Sequence, residues 1–348
     1  MSNALFLSAL LLACLALLAW GFRVLPGERW QMLATLPLRR LADGRWQGIN
    51  LTWYGLLTAN AYLAAVAVLV LLLGTVAVPL ASILTAAAAL LLVCVPASGL
   101  VARLVEGKAH TFTVGGAVFV GLLIAPWLLA AVNHLPWLAP MPVLPTLAAV
   151  AVAYAFGEGL GRLACISFGC CYGKPLVQCG CRAQKLFRRR HFVFFGATKK
   201  IAYADGLEGI GVVPVQGLTA LLYCLVGVAG TGLFLGGEFG TAFVLTTFVT
   251  QAWRVYSETL RADYRGTGRI SAYQLMALAA LPYALAIALF HPAVGSAVVP
   301  ELHRGFALFG QPFLLLFLQM LWLVLFIHTG RSSVTGATLS FHVHPDRI

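Results

Sequence analysis

Long apolar runs separated by shorter polar stretches form the main pattern along the chain. A helix needs roughly 20 apolar residues to cross about 30 Å of hydrocarbon, and it satisfies its own backbone polar groups there. Strands of a membrane barrel would instead alternate between apolar and polar positions. The pattern therefore predicts an all-α, polytopic membrane helix bundle with about nine transmembrane helices, at about 4–22, 53–73, 77–102, 113–132, 143–161, 212–235, 240–257, 271–291 and 308–328.

Alternating these segments across the bilayer gathers the basic residues on one side. Every Lys and Arg except Arg304 falls in, or at helix ends beside, 23–52, 103–112, 162–211, 258–270 and the C-terminal tail. Basic residues typically flank membrane helices on the cytoplasmic side. The net charge of +12 is therefore a sign of membrane topology, and we expect no nucleic-acid partner. By itself this asymmetry favours a cytoplasmic position for the basic side.

Composition excludes an ordinary soluble domain, because 61% of the residues are hydrophobic and 10% are charged, against about 25% charged in soluble proteins. We divide the chain into an extra N-terminal transmembrane helix with a basic connector (1–50), a membrane core (51–291) with an extramembrane loop (162–211), and a C-terminal helix with a tail (292–348). The first apolar run lacks a basic leader and a small-residue cleavage site. It is therefore predicted to be a retained helix rather than a signal peptide.

Charged residues beside or within membrane segments mark candidate functional sites. Arg162 follows a helix end rich in small residues, and its planar fork of donors suits a phosphate. Arg254, Glu258 and Arg261 have the spacing i, i+4 and i+7, which puts them on one helix face. The alternatives are a snorkelling arginine beside glycine turns and an ordinary ion-paired helix end.

Further candidate binding residues stand at the starts of three other segments. Gly115 and Gly116 open the fourth segment and allow a backbone or a lipid head group to approach closely; His110, just before them, is of the type common at membrane interfaces. Tyr54 opens the second segment, where interfacial aromatic residues are common. Gln216 opens the sixth and is a buried amide that needs a hydrogen-bond partner.

The order of these elements resembles the prolipoprotein diacylglyceryl transferase family over roughly residues 50–280. Five elements occur in the family's order: Trp53-Tyr54-Gly55, Gly115-Gly116, Gly161-Arg162 with its glycine-rich tail, Pro214-Val215-Gln216, and Arg254 through Glu258 to Arg261. The stretch GRLACISFGCCYGKP, residues 161–175, resembles a divergent branch whose signature carries GCCYGKP. Each element alone is a weak signal, so the resemblance depends on their order.

The resemblance implies a multi-pass enzyme of the bacterial inner membrane that uses no cofactor. Such an enzyme transfers a diacylglyceryl group from phosphatidylglycerol to the thiol of a lipoprotein precursor. Arg162 and Arg254 match the arginines that hold the phospholipid head group, Glu258 and Tyr54 match other functional positions of the family, and Gly173 matches the last glycine of its signature. The family places its signature on the periplasmic side, opposite to the side that the charge distribution favours, although the arginines of an active site also bias that distribution.

This chain departs from the family where the acceptor would be activated. The family's histidine before the glycine pair is Val114 here, with His110 one helical turn earlier, and Cys165 and Cys170 stand where the signature has asparagine and glutamate. We therefore predict a lipid-modifying transferase with a phosphatidylglycerol-type donor and a thiol or another acceptor. The alternatives are a non-catalytic phospholipid-binding or transport protein and a membrane thiol redox protein.

Five cysteines between residues 165 and 181 leave three interpretations open. Disulfides fit a periplasmic loop, and free or reactive thiols fit either side. Vicinal Cys170-Cys171 and the close pair Cys179 and Cys181 match zinc-site spacing poorly, so we predict no metal. Because Arg162 would lower its pKa, Cys170 is the predicted reactive thiol, able to carry a covalent intermediate.

Overall fold

The computed structural model describes residues 2–107, 113–262, 270–291, 299–331 and 339–341. Within these residues the predicted all-α membrane bundle is confirmed, and only short strands accompany the helices. The helices are α1 Asn3–Val24, α2 Trp53–Thr75, α3 Leu80–Glu106, α4 Val114–Asn133, α5 Val143–Phe168, α6 Cys181–Phe187, α7 Lys200–Asp205, α8 Val215–Leu235, α9 Phe239–Leu260, α10 Ala272–Phe290, α11 Leu302–Ala307 and α12 Pro312–Gly330.

Eight helices in the described part of the chain are long and apolar enough to cross a membrane: α1, α2, α3, α4, α5, α8, α10 and α12. The one predicted segment not among these eight helices, 240–257, forms α9, whose 22 residues extend for about 33 Å at 1.5 Å per residue. This helix carries more polar residues than the others, and Gln251, Arg254 and Ser257 are buried in it. It packs against α5, α8 and α10, so these polar groups lie inside the protein.

Helix α5 lies at the centre of the bundle, in contact with α2, α8 and α9. Small residues let it approach its neighbours closely, as is common between membrane helices. At Gly159, an added Cβ would lie 3.0 Å from Cys224 Sγ on α8, so a larger side chain would push the two helices apart.

The C-terminal end of α5 lies further along the chain than the sequence predicted. The helix continues to Phe168 rather than ending near residue 161, because nothing in 162–168 interrupts it. It stops at Gly169, whose φ of 69° is the left-handed conformation that favours glycine at a helix C-terminus. The loop predicted at 162–211 therefore begins at 169, and Arg162 and Cys165 are helical residues.

Three polar segments meet at one end of the bundle, as their predicted placement on one side requires. Strands β1 Met32–Arg40, β2 Trp46–Thr52 and β5 Leu339–Phe341 form an antiparallel sheet that joins the first connector to the C-terminal tail. The sequence had indicated only a basic connector there. Within the long loop between α5 and α8, the short strands β3 Phe192–Val193 and β4 Gly211–Val212 pair with each other in antiparallel orientation. The Phe195 amide donates to Pro26 O at 3.1 Å, which links the long loop to the same end.

A buried lysine connects this end to two helix termini. The side chain of Lys199 is fully buried, and its Nζ donates to Leu25 O at 3.2 Å and to Ser167 O at 2.6 Å. Both acceptors belong to helix C-terminal turns, where a cation is electrostatically favoured. Burial nevertheless lowers the pKa of Lys199 to about 8, and the negative charge of Glu28 only partly opposes this effect.

We expect Lys199 to make stability depend on pH. Its folded pKa of about 8 lies below its ordinary value of 10.5, so between these pH values the unfolded chain binds the proton more tightly. Raising the pH from 8 to 10.5 should therefore stabilise the wild type relative to Lys199→Met, by about 3 kcal/mol at most. Unfolding in detergent across this range, measured for both proteins, tests the expectation. Parallel pH profiles would contradict it.

Candidate functional site

Two arginines from different helices converge on one buried carboxylate. Glu158 and Arg162 lie one turn apart on α5 and form a direct ion pair. Arg254 reaches across from α9, and its Nη2 lies 3.3 Å from Glu158 Oε1. The side chains of Glu158, Arg162 and Arg254 are 5%, 12% and 9% exposed. Charges so poorly hydrated interact strongly, because little water screens them.

Aromatic residues and a glycine position the Arg254 guanidinium. Its Nη2 donates to Tyr154 Oη at 3.2 Å, and the Tyr154 ring packs edge-on against Tyr223. An added Cβ at Gly115 would lie 2.9 Å from Arg254 Nη1, so a side chain there would displace the guanidinium. Gly116 has a different environment, since its added Cβ would lie 2.5 Å from the Val101 side chain on α3.

A second ion pair borders the first. Arg261 Nη1 lies 3.5 Å from Glu258 Oε1, and both side chains are almost completely buried. Arg261 is the C-terminal cap of α9 and has an extended backbone, so it no longer follows the helical face that the spacing predicted. It forms a β-bridge with Gly173. An added Cβ at Gly173 would lie 2.4 Å from Val213 O, so only glycine fits that close approach.

These residues line a narrow cleft with a cavity volume of about 10 Å³, which is roughly the room that one water molecule needs. The cleft is lined by Arg162, Cys171, Val215, Gln216, Thr219, Tyr223, Arg254, Ser257, Glu258 and Arg261. A phospholipid head group would enter only if side chains moved apart. With Glu158 included, the three arginines and two glutamates of the site together contribute a net charge of +1.

Several buried polar atoms of the site have no hydrogen-bond partner among the described residues. They are the Nε atoms of Arg162 and Arg254 and the Oε1 atom of Gln216. Gln216 does use its Nε2, which donates to Cys170 O at 2.9 Å. An unsatisfied buried polar group costs about 1–3 kcal/mol. Two unsatisfied guanidinium donors in a cleft lined by three arginines favour an anionic ligand with acceptor oxygens.

The predicted binding residue Tyr54 lies at a helix terminus outside the cleft lining. Tyr54 packs edge-on against Phe168 at the C-terminal end of α5, with ring centroids 5.6 Å apart. It is not among the residues that line the cleft. His110 lies outside the described residues.

Three of the clustered cysteines come together, and all eight cysteines of the chain have free thiols. The Sγ atoms of Cys165, Cys170 and Cys171 lie within 4.8 Å of one another. The expected lowering of the Cys170 pKa is wrong, because hydrogen bonding with Cys165 and Cys171 and burial raise it. The lowered pKa belongs to Cys171, which accepts hydrogen bonds from Cys165 and Cys170 and lies near the charges of Arg261 and Arg162.

Sequence reasoning missed the residue at the centre of the site. Glu158 stands four residues before Arg162, a spacing that pairs side chains on a helix, so this ion pair could have been predicted. The contact between Glu158 and Arg254 joins residues 96 positions apart. Tyr154 and Tyr223 carried no signal, since tyrosines in apolar helices usually serve packing.

The fold and the site define a multi-pass helical membrane protein with a buried cleft that is lined by three arginines at the polar end of the bundle. In comparisons with known families and with curated proteins, no family model and no curated sequence matches this chain.

Proposed function

We propose that the protein is a membrane-embedded transferase that moves a diacylglyceryl or related group from phosphatidylglycerol to a thiol or other acceptor. The convergence of Arg162 and Arg254 on one buried carboxylate carries the proposal. Arginine forms paired hydrogen bonds with phosphate oxygens, so two convergent arginines suit a phosphodiester. We further propose that this chain is a divergent member of the prolipoprotein diacylglyceryl transferase family and that it lies in a bacterial inner membrane.

In the proposed reaction, an acceptor thiolate attacks the carbon of the diacylglyceryl group that is bonded to the phosphate oxygen. A sulfur–carbon bond forms, the carbon–oxygen bond to the phosphate breaks, and glycerophosphate leaves with the bonding electron pair. The thiol proton passes to a base or to water. Negative charge therefore grows on the phosphate as the bond breaks, and fixed positive groups in a dry site stabilise that charge. Arg162 and Arg254 supply those groups.

Glu158 has two roles in this proposal. Without lipid, its carboxylate balances Arg162 and Arg254 and keeps both guanidinium groups in place. With lipid, the phosphate occupies the free donor positions, including the Nε atoms that otherwise lack partners. The cavity volume of about 10 Å³ requires the cleft to open before a head group enters. The Glu258–Arg261 pair at the C-terminal end of α9 is suited to separate in this step, since Arg261 lies on extended chain.

The residues that would activate the acceptor depart from the family's motif. The residue before the glycine pair is Val114, which cannot remove a proton. A free thiol with an ordinary pKa of about 8.5 is mostly protonated at neutral pH. The acceptor is therefore a lipoprotein precursor whose thiol is activated by another group, or a different nucleophile.

Labelled phosphatidylglycerol tests the proposal. Purified protein in lipid discs, supplied with a membrane extract as the source of acceptor, should release labelled glycerophosphate when the head group is labelled. When the acyl chains are labelled, the label should appear in the acceptor. Phosphatidylcholine serves as the matched zwitterionic donor and should give no release. Binding of phosphatidylglycerol without release would contradict the transferase and support the non-catalytic lipid-binding alternative.

A further inference from the structure

A short turn brings three cysteine thiols together at the edge of the cleft. Cys165 lies in the last turn of α5, and Gly169 then reverses the chain. Cys171 has a φ of 58°, a left-handed conformation that costs a non-glycine residue about 1–2 kcal/mol. The three Sγ atoms, including that of Cys170, lie within 4.8 Å of one another.

We propose that Cys165, Cys170 and Cys171 bind a thiophilic metal ion with a filled d shell, such as Zn²⁺ or Cu⁺. Metal–thiolate bonds of about 2.3 Å place the sulfurs of a trigonal site about 4 Å apart. The observed separations of at most 4.8 Å need only small side-chain rotations to reach that geometry. Thiolate ligands select soft metal ions over magnesium or calcium.

The surroundings provide the charge that such a site needs. Three thiolates around a divalent ion carry a net charge of −1, and around a monovalent ion −2. Arg162 Nη1 lies 4.0 Å from Cys165 Sγ, and Arg261 lines the same cleft as Cys171. A buried negative complex is costly without nearby positive charge, and these two arginines supply it.

The spacing of these cysteines hides the site in the sequence. Zinc ligands usually come as two pairs, with two to four residues between the members of each pair. Here Cys165 and Cys170 have four residues between them, but Cys171 follows directly and belongs to no second pair of that spacing. Only the helix extension to Phe168 and the reversal at Gly169 bring Cys165 beside the other two. A bound ion would fasten this turn to α5 and so fix one wall of the cleft. The proposal does not depend on the transferase function.

Cadmium is the probe for this site, because its bonds to sulfur give a charge-transfer absorption in the ultraviolet. Reduced, full-length protein in detergent should bind one equivalent of Cd²⁺, and Zn²⁺ should displace it in competition. Each ligand that binds releases its thiol proton. The variant with Cys165→Ser, Cys170→Ser and Cys171→Ser should lose the absorption. The matched control, Cys179→Ser with Cys181→Ser, removes the neighbouring thiols and should bind as the wild type does.

Single variants keep the test decisive if the triple variant does not fold. Losing even a group that only orients a metal ligand costs on the order of 10–100-fold in affinity, so each single Cys→Ser change at these positions should cost at least that much. Absence of stoichiometric Cd²⁺ binding by the wild type would overturn the proposal. Equal binding by the wild type and the single variants would overturn it as well.

Discussion

Glu158→Gln is expected to lower the free energy of unfolding by about 3–5 kcal/mol, because removing one partner of a buried ion pair leaves uncompensated charge. The loss is large here since Glu158 balances two arginines, Arg162 and Arg254. Glutamine keeps the shape of the side chain and removes only the negative charge. Reversible unfolding of the purified protein in detergent measures the difference.

Glu301→Gln is the matched control for this change. Glu301 pairs with Arg304 at 2.9 Å, but the two side chains are 39% and 50% exposed. An exposed pair contributes about 0–1 kcal/mol, so the control should stay close to the wild type. Added inorganic phosphate should restore part of the stability of Glu158→Gln by occupying the unbalanced arginines, and should have no such effect on the control. Equal stability of the two variants would show that Glu158 does not balance buried charge.

Arg162→Gln and Arg254→Gln are each expected to reduce glycerophosphate release from phosphatidylglycerol by about 10²–10³-fold, the usual effect of losing one charge-stabilising donor. Arg162→Lys and Arg254→Lys should fall between these variants and the wild type, because lysine keeps the charge and loses the paired donors. The measurement is kcat and KM for release in lipid discs. If the arginines hold the phosphate both in the bound state and in the transition state, kcat should fall and KM should rise.

Two comparisons separate this effect from loss of folding. Arg304→Gln removes an arginine from the exposed pair with Glu301 and should leave release unchanged. The variant that combines Arg162→Gln with Arg254→Gln should lose little more activity than either single variant, because both residues act on one phosphate group and their effects are not additive. Full release by the well-folded single variants would reject an arginine-held phosphate.

The helices were predictable because the bilayer imposes a strong rule on sequence. Apolar runs of about 20 residues predicted the nine long helices of the described residues, including α9, which is too polar to qualify as a membrane span by composition. Prediction was weaker at helix ends. The extension of α5 to Phe168 depends on Gly169 as a stop signal, and this extension turned a supposed loop residue, Arg162, into part of the bundle.

The candidate site was predictable only in part. Arg162, Arg254, Glu258 and Arg261 could be chosen from the sequence because charge near a membrane core is costly and therefore informative. The partner of Arg254 could not be chosen in the same way. Arg254 pairs with Glu158 rather than with Glu258 on its own helix, since the packing of α9 against α5 decides which carboxylate is near.

The sequence by itself determined that this protein is a membrane helix bundle with its basic residues gathered at one end, because hydrophobicity and charge act locally and need no knowledge of the fold. Only the tertiary structure decided which carboxylate Arg254 meets and which thiols come together. Arg162 and Arg254 share Glu158, and Cys165 joins Cys170 and Cys171. Such contacts depend on helix packing and on one chain reversal, and neither leaves a period or a composition that a sequence displays.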